Sequence, residues 1–451
     1  MIAKNILDTI GNTPMVEVTH IDTGNSRLFI KLENQNPGGS IKDRVGLTMI
    51  NEAEQQGKIK PGDTIVEATA GNTGLGLALA SRMKGYKLVL IIPDKMSQEK
   101  INHLRALGVE IILTRSDVNK GDPEYYQDMA SRIASERNGY YINQFENISN
   151  PLAHEQTTGP EIWEQMDHKV DAIVVGVGSS GTLTGLTHFF SKVSPQTEFI
   201  LADPKGSVLA DYINTHELHQ VNGSWLVEGI GEDYIPGIAD FSLTKRAYSV
   251  TDKESFEAVR NLLKEEGILA GSSTGTLLSA ALRYCREQNT PKRVVTLACD
   301  SGNKYLSKMY NDYWLLDQGL GNNKVYGDLR DLMPHHFLIN AHPYDTLKRV
   351  FREMKLYDIS QLPVVDRNKA VGIIDESDLL YALYRKGASL DSPVNDFMTK
   401  NVKTIEYTED KESLVEILDE GLTALVIDPN GDFEGLITRF DFINYLTKNK
   451  K

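Results

Sequence analysis

The sequence predicts an α/β protein in which a large open-sheet region is followed by two small repeated units. Three observations carry that expectation. Short apolar, β-branched runs alternate with amphipathic stretches of helical length from residue 1 to about 320. Several of those runs lead straight into glycine- or serine-rich turns. Beyond a short polar linker, one pattern of residues occurs twice.

The runs are Thr64–Glu67, Lys87–Ile92, Glu110–Leu113, Ala172–Val175, Phe199–Ala202 and Val294–Ala298. They are apolar on both faces and separated by helices, which predicts a parallel sheet. In such sheets the turns at the carboxyl ends of strands are where ligands bind. Around Gly319-Leu320-Gly321-Asn322-Asn323-Lys324 the composition shifts to a linker. After it, Asp331-Leu332-Met333-Pro334 is echoed by Asp396-Phe397-Met398-Thr399. Leu362–Asp366 with Gly372-Ile373-Ile374 is echoed by Ala424–Asp428 with Gly435-Leu436-Ile437, and each copy ends in a helix at Asp378 or Asp441. The expected division is 1–320, a linker over 321–330, and repeats over 331–390 and 391–451.

Net charge is -14, from 48 basic and 62 acidic residues, which argues against nucleic acid or an anionic membrane as partner. The two cysteines, Cys285 and Cys299, form no C-x-x-C pair, so a disulfide framework is not expected. Neither a signal-peptide core nor a membrane-length apolar run is present, and the expected location is the cytoplasm. The ten histidines have no metal-binding spacing, His335-His336 reads as a surface pair, and no metal is expected.

Four turns could carry chemistry. In Asn36-Pro37-Gly38-Gly39-Ser40-Ile41-Lys42-Asp43-Arg44, a turn opens a helix, with Ser40 able to cap it. A lysine at the positive end of a helix dipole is held partly neutral and suits Schiff-base chemistry, although a surface lysine in a first helical turn fits the same spacing. Thr69-Ala70-Gly71-Asn72-Thr73-Gly74 follows a strand and precedes a helix, making an anion site for a carboxylate or a plain small-residue turn. Gly176-Val177-Gly178-Ser179-Ser180-Gly181-Thr182 fits G-x-G-x-x-G and, with Asp203, a dinucleotide site, but its hydroxyls suit a phosphate monoester equally. Ser301, in Asp300-Ser301-Gly302-Asn303, could bond a ring nitrogen or serve as a turn serine.

Taken in order with Glu228-Gly229-Ile230-Gly231, these motifs resemble the fold-type II pyridoxal-phosphate (PLP) enzymes, in the cysteine synthase and cystathionine β-synthase branch. The C-terminal repeat resembles a tandem CBS-domain (Bateman) module. The resemblance implies a tryptophan synthase β-like core of two open α/β subdomains plus a CBS pair, and favours the cystathionine β-synthase side of the branch. It implies that Lys42 holds PLP as a Schiff base, that Asn72 meets the cofactor's 3-hydroxyl, and that Gly178, Ser179, Ser180, Gly181 and Thr182 bind its phosphate. Ser301 would meet the pyridine nitrogen, and Thr69, Ala70, Gly71, Asn72 and Thr73 with Gln144, Gly229 and Gly231 would bind substrate. The implied reaction condenses serine, or an O-activated serine, with homocysteine through an aminoacrylate. Release of hydrogen sulfide from cysteine is a further implied activity.

No haem is expected, because the core motif starts at Ile6-Leu7-Asp8. Ala70 stands where many members have serine, and Glu232 where animal members have tyrosine, so serine, O-acetylserine and O-phosphoserine all stay open as donors, and sulfide as nucleophile. Thr438 and Asp441 match an adenosyl-binding Thr-x-x-Asp, whereas the first repeat has Asp375 in the threonine position. Two alternatives remain: an O-acetylserine sulfhydrylase, and a catalytically silent adenosyl-sensing scaffold. A homo-oligomer is expected, with the stretch 311–316 as a candidate pairing face.

Overall fold

In the computed structural model, residues 2–448 are described except 70, 95, 97, 119–120, 219–222, 322–325 and 334–337. Ala70, the His335-His336 pair and the linker residues Asn322, Asn323 and Lys324 therefore lie outside the described residues. The chain forms two compact units, Met1–Asn311 and Asp312–Lys451. Among the described residues no helix is long and apolar enough to cross a membrane.

The first unit holds two sheets. Strands β1 (Met15–Glu17) and β2 (Arg27–Lys31) open the chain; β3 (Thr64–Ala68), β4 (Lys87–Pro93), β5 (Glu110–Thr114) and β6 (Tyr140–Tyr141) follow, then β7 (Ala172–Val175), β8 (Glu198–Pro204), β9 (Thr244–Val250) and β10 (Arg293–Leu297). One sheet has the order β5-β4-β3-β6 and is wholly parallel. The other has the order β1-β2-β10-β7-β8-β9 and is parallel except for β1.

Burial on both faces explains the continuous apolar runs. In β3 and β4, Ile65, Leu88, Leu90 and Ile92 point into a core shared with helices α1 (Lys42–Gln55) and α2 (Asn72–Lys84). Their neighbours Val66, Ala68, Val89 and Ile91 point the other way, onto the helix Tyr126–Glu136. Period-two alternation thus fills two cores from one strand.

Helix α1 leaves the six-stranded sheet from β2 yet packs in the core of the four-stranded one. It meets α2 backbone to backbone. A Cβ built on Gly76 would lie 2.3 Å from the Lys42 carbonyl oxygen, and one on Gly46 would lie 2.4 Å from the Gly76 carbonyl carbon. A buried ion network braces the start of α1. Arg44 bonds Glu33 at 2.8 Å and Glu161 at 2.6 Å, and Lys31 bonds Glu161 at 2.7 Å. Burial alone would raise the Glu161 carboxyl, but the Arg44 and Lys31 charges bring it down to about 2.

In the second unit the two repeats form β11 (Gln361–Asp366) with β12 (Lys369–Asp375), and β13 (Lys403–Glu406) with β14 (Ala424–Ile427) and β15 (Phe433–Ile437). Their lead-in segments are exchanged. Leu329 and Leu332, which precede the first repeat's strands, are buried with Ile405, Leu414, Val426 and Ile437 of the second. Val394 and Met398, which precede the second repeat's strands, are buried with Leu347, Leu362 and Ile374 of the first. The repeat glycines make room for it: a Cβ on Gly372 would lie 2.8 Å from the Met398 sulfur, and one on Gly435 would lie 2.5 Å from that of Met333. Residues 312–317 form a short helix with no buried side chain.

Gly76→Val is expected to lower the unfolding free energy by about 2–3 kcal/mol, because the clash is with backbone; denaturant unfolding beside Gly237→Ala, where a Cβ meets nothing within 4 Å, is the comparison. Arg44→Met should cost about 3–5 kcal/mol by stranding Glu33 without its cation, and an unchanged denaturation midpoint would show that the network carries no stability.

Candidate active site

Four loops at the carboxyl ends of β2, β3, β7 and β10 build one cleft in the first unit. Strands β2, β10 and β7 are neighbours, so three of the loops start side by side. The exits of β2 and β10 are zipped together: Asn34 N donates to Ala298 O at 2.9 Å, Ile41 N to Cys299 O at 2.9 Å, and Ser301 N to Gly39 O at 3.0 Å. Gly39 has φ +76°, a left-handed turn that a side chain would strain, and this turn delivers the chain into α1 at Lys42. Ser40 Oγ accepts from Lys42 N at 3.3 Å, but the residue at the N-cap is Ile41, so Ser40 braces the turn and does not cap the helix as the motif suggested. Asp43 is buried and accepts from Gly38 N, closing the turn.

Lys42 Nζ reaches across to the β7 loop and donates to Ser179 Oγ at 3.4 Å. Burial pulls this amine down to about 8, with the nearby Cys299 thiol acting weakly the other way. The dipole at the start of α1 adds to the downward pull. Ser179 Oγ also accepts from Asn150 Nδ2 at 2.9 Å. Ser180 takes the left-handed conformation, φ 67°, and begins the helix Gly181–Val193. Two of the loop's glycines are required by space: a Cβ on Gly178 would lie 2.6 Å from Gly229 O, and one on Gly181 would lie 1.9 Å from Asn150 Oδ1. Thr182 Oγ1 lies 3.3 Å from Nε2 of His154, a fully buried ring that burial holds neutral. Gly229 and Gly231 both have positive φ, and Gly231 N donates to Val177 O at 2.8 Å, laying their loop along the β7 turn.

The β3 loop is locked from beneath. Thr69 Oγ1 accepts from Gly71 N at 3.1 Å, and Thr73 Oγ1 donates to Gln144 Oε1 at 2.6 Å. Gln144 Nε2 donates to Glu67 Oε1 and Ala68 O, both at 3.3 Å. Burial pushes the Glu67 carboxyl up to about 8. Asn72, the first residue of α2, donates through Nδ2 to Asp300 Oδ2 at 2.7 Å and accepts at Oδ1 from Lys304 Nζ at 2.8 Å. Ser301 Oγ accepts from Asn303 N at 3.3 Å, capping the turn Gly302–Lys304.

The residues that the family resemblance implied for cofactor and substrate, Ala70 aside, therefore fall on this one cleft or the loop beneath it, whereas Asp203, offered for a dinucleotide, is buried at the end of β8 and accepts from Ala210 N at 2.8 Å. Asn150, His154, Lys304, Asp300, Tyr305 and Glu67 were not read as site residues. Asp300 and Lys304 flank Ser301 and were within reach of the motif; Asn150 and His154 sit in a helical stretch with no local signal. In the second unit, Thr438 N and Oγ1 donate to Asp441 Oδ2 at 2.8 and 2.6 Å, a helix cap matched in the first repeat by Asp375 and Asp378.

A family model described as pyridoxal-phosphate dependent enzyme matches residues 6–300, and a CBS-domain model matches 329–385 and again 394–448. Over its whole length the chain is 36% identical to a cystathionine beta-synthase of Dictyostelium discoideum and covers 94% of it. A cysteine synthase of Staphylococcus aureus (strain N315) is 41% identical over 67% of this chain and 95% of its own. Among solved structures, an O-acetylserine dependent cystathionine beta-synthase from Helicobacter pylori matches with a TM-score of 0.63 at 35% identity, over 68% of this chain and 98% of that one.

The cleft fits the cofactor of that family. It offers a buried amine with a lowered pKa, and a glycine cradle at a helix start that any Cβ would fill. The chain belongs to the pyridoxal-phosphate dependent enzymes, in the cystathionine β-synthase family with its C-terminal pair of CBS domains.

Proposed function

We propose that the chain replaces the β-substituent of serine, or of an O-activated serine, with the thiol of homocysteine, and that Lys42 is the residue that holds the cofactor and moves the proton. The observation that carries this is the placement of the Lys42 amine, lowered to about 8, beside Ser179 of the glycine-rich loop. When bound, pyridoxal phosphate supplies an electron sink for negative charge at the substrate α-carbon. The chain supplies the rest. Lys42 Nζ, once released by substrate, takes the α-proton and returns it after the thiol has added. Gly178, Ser179, Ser180, Gly181 and Thr182 offer backbone amides and hydroxyls at a helix start, where a phosphate is stabilised. Ser301 Oγ accepts from Asn303 N and keeps an O–H to donate, which suits an unprotonated ring nitrogen. Thr69, Gly71, Asn72 and Thr73, braced by Gln144, with Ala70 between them in sequence, receive the substrate together with Gly229 and Gly231 beside the β7 turn.

Cysteine synthesis from O-acetylserine and sulfide is the second reading, favoured by the 41% identity of the first unit's region to a cysteine synthase. We also infer an adenosyl ligand at the second repeat, where Thr438 and Asp441 are held in register by their own cap. Two unpaired cysteines suit the cytoplasm.

Lys42→Ala should abolish both turnover and the visible absorbance band of the cofactor-loaded protein; retention of either would remove Lys42 from its role. Product analysis of serine and O-acetylserine, each with homocysteine and with sulfide, separates the two reactions. Only the neutral amine attacks a carbonyl. The rate of cofactor capture by the cofactor-free chain should therefore rise about tenfold per pH unit below pH 8 and level off above it, whereas a rise continuing to pH 10 would mean an ordinary lysine. Calorimetric titration with S-adenosylmethionine should give heat that Asp441→Ala removes; a silent titration of the unmodified chain would leave the CBS pair without this ligand.

A further inference from the structure

Asn72 and Lys304 meet in a way the reaction outlined above does not use. Lys304 is 7% exposed, and its Nζ donates to Asn72 Oδ1 at 2.8 Å and to Gly39 O at 3.1 Å. An ammonium only donates, so it can be met only by the amide's oxygen. The other end of the amide is fixed by opposite chemistry, since Asp300 Oδ2 accepts from Nδ2 at 2.7 Å and also from the Tyr305 hydroxyl at 2.7 Å. A donor on one side and an acceptor on the other remove the twofold ambiguity of the amide and leave its donor face opposite Lys304. Lys304 also ties this arrangement to the Gly39 turn three residues before Lys42.

We propose that Lys304 is a positioning residue that fixes the Asn72 amide with Nδ2 as the end offered to the cofactor's phenolic oxygen. The inference rests on the reading of Asn72 as the residue facing that oxygen. Burial lowers the pKa of Lys304, and Asp300 offsets this; Asp43 also favours the charged form, Lys100 opposes it, and His103 lies within reach of the same field. With methionine at 304 only the Asp300 bond to Nδ2 remains, so the amide pivots about that one contact and the phenolic oxygen loses a donor at a fixed place.

The test uses the full chain with pyridoxal phosphate added in spectral titrations. Lys304→Met is expected to bind the cofactor about tenfold more weakly, the scale of one charge-assisted hydrogen bond. Its visible band should lose intensity to a near-ultraviolet one, because a phenolic oxygen without its donor keeps its own proton. Lys304→Arg should recover most of both. In an Asn72→Ala background, Lys304→Met should add no further loss, since its effect runs through Asn72. An unchanged spectrum and affinity in Lys304→Met, or losses that add in the double variant, would overturn the role. If the unmodified chain took up no cofactor, the underlying reading would fall and this one with it; if Asn72→Ala alone changed nothing, Asn72 would not be the contact and the role of Lys304 would fail for that reason.

Discussion

The contact between Gly46 and Gly76 is the constraint on which the rest of the catalytic unit depends. Helix α1 grows from one sheet and α2 from the other, and they touch through backbone because neither position carries a side chain. That closeness fixes how the two sheets are joined. It also fixes the distance between Lys42, at the start of α1, and Asn72, at the start of α2. The two helix starts thus open into the same cleft, and both dipoles present their positive ends there.

The electrostatics divide sharply around that joint. On one side Arg44, Lys31, Glu33 and Glu161 are paired with one another, which offsets the cost of burying them. Toward the cleft no carboxylate among the described residues bonds Lys42, and burial pulls its amine down with only Cys299 acting the other way. Two residues apart on one helix, a lysine is made easy to deprotonate and an arginine impossible to. Part of the difference is intrinsic, since a guanidinium holds its proton more tightly than an ammonium, and the carboxylates beside Arg44 widen it.

Much of this was legible in the amino-acid order. Strands β3, β4, β7, β8 and β10 stood out because burial on both faces leaves few polar positions to blur the run, and β5 through its apolar Ile111-Ile112-Leu113 although that strand is largely uncovered. Strands β1, β2, β6 and β9 did not: β1 and β6 span three and two residues, β2 has a charged residue at each end of three apolar ones, and Thr244–Val250 is half exposed and polar. The glycine turns were readable because each glycine answers a local requirement of space or φ. Asn150, His154 and Glu67 were not, since a polar residue on a helix or strand acquires meaning only from what folding brings beside it. For the same reason the repeat was visible but the exchange of its lead-ins was not; periodicity tells which residues correspond, and is silent on which copy they pack against.

That exchange has a consequence for how such a module can change over time. No single cut removes one repeat and leaves the other whole. A chain ending near residue 390 would lose Val394 and Met398 from the first core and leave Leu329 and Leu332 with no core to enter. Two copies that arose alike have become one indivisible body. A lineage can gain or shed the pair, but not half of it.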